Sequence, residues 1–136
     1  MIVRYLEQID GSENDVNAAT WRSRRLLLRK DGMGFSFHDT IMRAGTKTTM
    51  WYKNHLEAVY CIEGEGEIAV LESGEIFQLR PGAMYALNDH EKHQVRVRKD
   101  LRLICVFSPP CTGRETHDAD GAYPLLEAEP VSSASK

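Results

Sequence analysis

Apolar and polar side chains alternate in short runs along most of this chain, and glycine, proline and acidic turns separate the runs. Residues 20–29 place Trp21, Ser23 and Arg25 on one side and Arg22, Arg24 and Leu26 on the other. The arginine and leucine content would also suit a helix. A strand is preferred because Asp31-Gly32-Met33-Gly34 follows as turn chemistry and another alternating run succeeds it. That run, residues 35–42, sets Phe35, Phe37 and Asp39 against Ser36, His38 and Thr40. Residues 48–52 predict a further strand. Residues 57–63 alternate again, and Gly64-Glu65-Gly66 reads as a tight turn before a strand over 67–70. Residues 76–79 and 83–87 predict strands around the turn Arg80-Pro81-Gly82, and a polar loop runs on to His93. Residues 94–98 and 101–107 predict two more strands, with Lys99-Asp100 as the turn between them. Ser108-Pro109-Pro110 ends the regular structure, since proline lacks the ladder donor. Residues 1–6 are a β-prone start, and residues 7–17 read as a polar loop with room for a helical turn.

The pattern amounts to nine or ten short strands and no long helix, so the fold class is all-β, a sandwich or a barrel. Periodicity does not choose between the two. A length of 136 residues predicts one domain. Residues 1–124 are assigned to it. Residues 125–136 have too little apolar surface to order themselves and are expected to form a flexible tail, a possible lid. A net charge of −3 gives no electrostatic case for nucleic acid or an anionic membrane. No apolar run reaches the ~18 residues of a membrane span, and the first residues have no signal-peptide pattern. The three cysteines, Cys61, Cys105 and Cys111, form neither a disulfide framework nor a C-x-x-C spacing. Reduced thiols in a cytoplasmic protein are the simplest expectation.

Several side chains carry chemistry. Glu57, Tyr85 and His93 supply an oxygen, oxygen and nitrogen set on neighbouring predicted strands, which suits a divalent metal such as Fe(II), Mn(II) or Zn(II). Singly, each has a plainer reading: a solvated charge, a half-buried tyrosine and a loop histidine. His55 falls two residues before Glu57, on the same face of a regular strand. Glu115 and His117 form E-x-H, an acid–base or metal pair if on a strand and a solvated cluster if in a loop. Trp21 and Arg25 share a face; an indole wall and a guanidinium would suit an amino-acid-like ligand. Cys105 and Phe107 alternate inward on a late strand, where core packing is the plainer reading. No base is visible for Cys105, so it is not assigned as a nucleophile.

Two stretches resemble the short motifs of the cupin superfamily. Glu57 and Gly64 have the spacing that closes the first motif, and Pro81, Gly82 and His93 fit the second. Trp51 and Lys53 stand where most cupins carry an H-x-H, so two of the usual four metal ligands are missing. The cupin resemblance implies a jelly-roll barrel, a double-stranded β-helix with its site in the barrel mouth. Residues 20–36 (T-W-R-S-R-R-L-L-L-R-K-D-G-M-G-F-S), 51–66 (W-Y-K-N-H-L-E-A-V-Y-C-I-E-G-E-G), 79–93 (L-R-P-G-A-M-Y-A-L-N-D-H-E-K-H) and 106–124 resemble one cupin family in particular, the ectoine synthases. That resemblance implies metal-assisted cyclocondensation of N-γ-acetyl-L-2,4-diaminobutanoate to ectoine with loss of water. It implies iron, most readily Fe(II), on Glu57, Tyr85 and His93, and substrate contacts from Trp21, Arg25, Thr40, Tyr52, Cys105, Phe107, Glu115 and His117. Tyr52, Glu115 and His117 become the candidates for proton transfer, and a cytoplasmic homodimer is implied. Two other readings stay open: a metal cupin of different chemistry, such as an isomerase or dioxygenase, and a non-catalytic cupin that binds a small molecule.

Overall fold

The structure is a computed structural model and describes residues 1–113. A four-residue helix, α1 (Leu6–Ile9), precedes eight strands: β1 (Asp15–Asn17), β2 (Trp21–Leu27), β3 (Ser36–Met42), β4 (Lys47–Met50), β5 (Leu56–Val70), β6 (Ile76–Leu79), β7 (Met84–Leu87) and β8 (His93–Ser108). The β-prone start is therefore not a strand. Gln8 caps the helix, its Oε1 accepting the Tyr5 N–H at 2.8 Å, and the buried Ile9 ties it down.

All the pairings are antiparallel, and the two longest strands organise them. β5 and β8 pair along nearly their whole length, from Leu56↔Ser108 to Val70↔His93. Their first-level halves, 56–61 and 103–108, carry β7 on one edge and β3, β2 and β1 on the other. Their other halves, 66–70 and 93–97, carry β6 and β4. One bent ribbon thus joins both sets of strands into a single eight-stranded sheet that folds over on itself. This is the two-layered arrangement of a jelly roll, with the inward rows of both halves closing on one core.

Two expected turns are corrected by this arrangement. Gly64-Glu65-Gly66 is not a hairpin turn, and Lys99-Asp100 does not separate two strands. Both lie inside long strands and face each other, with register shifts at Cys61/Glu63, Glu63/Glu65 and Glu65/Gly66. They are the bulged bend of the ribbon. The close approach demands glycine: a Cβ on Gly64 would collide with the Asp100 carbonyl and lie 2.8 Å from the Leu101 Cα.

The inward rows follow the expected alternation. Val59, Cys61, Leu101, Leu103, Cys105 and Phe107 are all buried. β2 and β3 differ, because Ser23, Arg25, Ser36 and His38 are polar and still face inward and buried. On the outer face Asp39 is also buried, covered by Arg24 at 2.9 Å and Arg102 at 2.8 Å. A carboxylate in this setting needs both cations, because burying it unpaired costs several kcal/mol.

Candidate active site

The inward residues at one end of the ribbon line a small cavity of about 30 Å³. Its wall is made by Trp21 of β2, Thr40 and Met42 of β3, Met50 of β4, Tyr52, Glu57 of β5, Tyr85 of β7, and Leu103, Cys105 and Phe107 of β8. Six elements meet there because strand alternation turns every second residue inward and the pairings Glu57↔Phe107 and Val59↔Tyr85 bring those rows level. Seven residues expected at the site, Trp21, Thr40, Tyr52, Glu57, Tyr85, Cys105 and Phe107, share this wall. Met42, Met50 and Leu103 were not anticipated, although each sits two residues from an assigned one and so on the same face. Glu115 and His117 lie outside the described residues, as do residues 125–136.

Glu57 is buried within this wall, and among the described residues it has no ion-pair partner. Burial pushes its carboxyl up to about 8, against a smaller opposing effect of a hydrogen bond with Cys105. Burial also raises the Tyr85 phenol well above its ordinary value, and the neighbouring Glu57 adds to that. Cys105 is raised too, first by burial and then by Glu57, which argues against a thiolate at rest.

His93 is the first residue of β8 and is fully buried, not part of the exposed loop before it. Its ring lies 6.4 Å from that of Tyr85 and 6.0 Å from that of Tyr52, centroid to centroid. Burial lowers its pKa and keeps it neutral. Nδ1 lies 3.0 Å from the Glu91 carbonyl oxygen. A carbonyl only accepts, so Nδ1 carries the proton and Nε2 is left with its lone pair. That Nε2 is buried and has no hydrogen-bond partner. An imidazole fixed at Nδ1 by a backbone carbonyl and bare at Nε2 is arranged as metal ligands are. Among the described residues no three His, Cys, Asp or Glu side chains group as a metal site. The trio here has two of those types and a phenol, and a cation would answer both the orphaned nitrogen and the unpaired carboxyl.

Arg25 is on the inward row of β2 with Trp21 but not on the wall of this cavity; it is 1% exposed and donates from Nε to Ser23 Oγ at 3.4 Å. His55 is buried as well, with its ring edge-on to Phe107 at 5.8 Å. The loops at the mouth are clasped together. Trp51 Nε1 donates to the His90 carbonyl at 2.9 Å, and His90 Nδ1 donates to the Tyr52 carbonyl at 2.8 Å. His90 holds a left-handed φ of 53° to do so. Nothing in the local sequence pattern announces this clasp.

The family model for ectoine synthase matches residues 1–127. This chain belongs to the ectoine synthase family. An L-ectoine synthase of Desulfatibacillum aliphaticivorans is 61% identical over 129 residues, covering 93% of this chain and 99% of the relative. The crystal structure of ectoine synthase from P. lautus superposes with a TM-score of 0.85 at 57% identity, covering 97% of this chain and 96% of that one. The cupin fold extends further. The Cupin_2 domain of an XRE family transcriptional regulator from Enterobacter cloacae has a TM-score of 0.56 at 18% identity, covering 67% of this chain and 98% of that domain. Membership of the ectoine synthases agrees with the all-β architecture. No described helix is long and apolar enough to cross a membrane.

Proposed function

We propose that this chain is an L-ectoine synthase that closes N-γ-acetyl-L-2,4-diaminobutanoate into a six-membered ring, a hydro-lyase run in the condensing direction. The α-amino nitrogen attacks the carbonyl carbon of the substrate's own γ-acetamide. The carbonyl oxygen leaves as water, and a C=N bond is left in the tetrahydropyrimidine ring. The observation that supports this reading is the buried, lone-pair-bearing Nε2 of His93, on a ring 6.4 Å centroid to centroid from that of Tyr85, which lines the cavity together with Glu57.

His93 Nε2, the Glu57 carboxylate and the Tyr85 phenol would hold the metal, and Fe(II) is the ion the family resemblance implies. When bound, it supplies Lewis-acid polarisation of an amide carbonyl, worth several kcal/mol at the transition state. The protein's own residues do the rest. Arg25, with Thr40 and Trp21, fixes the carboxylate end of the substrate. The walls from Trp21, Met42, Leu103 and Phe107 fold the linear chain so that amine and carbonyl meet, which turns chain entropy into proximity. These apolar walls also keep bulk water from the ring carbon, which favours condensation over hydrolysis. The amine must be neutral to attack, and Tyr52, Glu115 and His117 are the groups assigned to take its proton and return one to the departing oxygen. The Tyr52 hydroxyl faces the Met50 Sδ at 3.4 Å inside the cavity, a weak partner that substrate would displace. Residues 125–136 are proposed as a cover over the mouth, residues 1–124 as the barrel domain, and the working form as a cytoplasmic homodimer.

The test is ring closure by purified protein with and without Fe(II), beside Glu57→Ala and His93→Ala, with bound metal assayed in each. Metal-dependent ectoine formation that disappears together with the bound metal in both variants is expected. Activity that survives in both would remove the metal site from the mechanism, and dioxygen consumption without ectoine would favour a different cupin chemistry.

A further inference from the structure

Beneath the substrate end of the barrel runs a chain of polar side chains that the proposed mechanism does not use. His38 of β3 stands directly opposite Arg25 of β2 in the sheet register and is 1% exposed. Both ring nitrogens meet serine hydroxyls: Nδ1 is 3.2 Å from Ser23 Oγ and Nε2 is 2.9 Å from Ser36 Oγ. Ser23 Oγ accepts from Arg25 Nε at 3.4 Å. Ser36 Oγ accepts the Cys111 N–H at 3.0 Å, and the Cys111 carbonyl accepts the Arg29 N–H at 2.8 Å. One face of the imidazole packs on the cavity residue Phe107, with centroids 5.1 Å apart.

We infer that His38 is a positioning residue for Arg25, acting through Ser23, and so helps to set affinity for the substrate carboxylate; this rests on the role given to Arg25 above. Burying an imidazole and two hydroxyls in a barrel interior costs free energy unless each group is paired, and here each is. A leucine or phenylalanine at position 38 would satisfy packing against Phe107 without that network. The network is directional. A guanidinium can only donate, so Ser23 Oγ accepts on that side, and its remaining bond is to His38. Burial and the neighbouring Arg25 charge keep the imidazole neutral. The Nε edge of Arg25 is thus oriented by neutral groups, which fix its direction without competing for its charge. At the other end the chain is anchored on the backbone of Cys111, so the arginine is braced against the segment that leads out of β8.

His38→Phe keeps the ring contact with Phe107 and removes both hydrogen bonds. It is expected to raise KM for the substrate, and the Kd for ectoine by calorimetry, roughly three- to tenfold, the equivalent of one net hydrogen bond, with kcat little changed. Ser23→Ala should give the same increase, and the double variant should be no worse than either single one, because both cut the same link. His38→Asn, whose amide reaches Ser23 but not Ser36, should recover most of the affinity. A folded His38→Phe with the original KM and Kd overturns the inference, and so do additive penalties in the double variant or a loss confined to kcat. Should His38→Phe not fold, Ser23→Ala decides: raised KM and Kd support the link and unchanged values overturn it. A parent chain that neither cyclises the substrate nor binds ectoine would overturn the function proposed above, and this inference with it. An active parent with indifferent variants overturns this inference alone.

Discussion

Gly64→Ala should cost roughly 3–4 kcal/mol of folding stability, a large share of the ~5–15 kcal/mol available to a domain of this size. The structure separates the contributions. Gly64 has φ +98°, a conformation that costs an L-residue about 1–2 kcal/mol. The added methyl would also run into the Asp100 carbonyl, at 2.7 Å from its carbon and 2.8 Å from the Leu101 Cα. These atoms are backbone, so relief requires β5 and β8 to part at the bend. Overpacking of that kind costs about 1–3 kcal/mol, and each ladder hydrogen bond lost adds about 1 kcal/mol. Lower entropy of the unfolded alanine chain returns about 0.5 kcal/mol. Gly66→Ala isolates the collision, since a Cβ there meets the Arg96 carbonyl and lies 3.2 Å from the Leu101 Cδ1 without a left-handed φ. Gly74→Ala isolates the backbone contribution, with φ +78° and open space around the Cβ, and should lose only about 1 kcal/mol. Urea unfolding followed by far-UV circular dichroism, at one protein concentration, measures all three. A Gly64→Ala protein no less stable than Gly74→Ala would refute the account of the bend as two backbones in contact.

Asp39→Asn should destabilise by roughly 3 kcal/mol, because Arg24 and Arg102 are then left without the carboxylate they share, and thermal unfolding would reveal it. Asp15 is held at about 2 chiefly by its hydrogen bond from Arg22, below an unfolded value of 3.8. Its contribution is therefore complete above pH ~4 and fades as pH falls toward 2; Asp15→Asn should flatten that part of the acid limb by roughly 1 kcal/mol, after allowance for the exposure of Arg22. Cys61, Cys105 and Cys111 are free and buried, so a thiol reagent should label none of them in the folded protein and all three in denaturant; rapid labelling under native conditions would contradict the packing.

Period-two alternation made the strands legible, and with them most of the cavity wall. Once residues 20–27 and 101–107 are strands, Trp21, Ser23, Arg25, Leu103, Cys105 and Phe107 must face one way, because a pleated strand has only two sides. Motif spacing singled out Glu57 and His93, and the longer segments around them, which include Tyr85, pointed to the family. The bend was misread because glycine and acidic residues serve a hairpin turn and a bulge equally well; only a partner strand running past Gly64 distinguishes them. Ser36 and His38 look like a solvent face in isolation. They are buried because Cys111 returns over them and Arg25 comes level across the β2–β3 pair, contacts made between residues as many as 75 positions apart. Local pattern fixes which side of a strand a residue occupies. What covers that side, and so whether a histidine there is solvated, buried with a bare lone pair like His93 or a link in a polar chain like His38, is decided by the elements that pack on it.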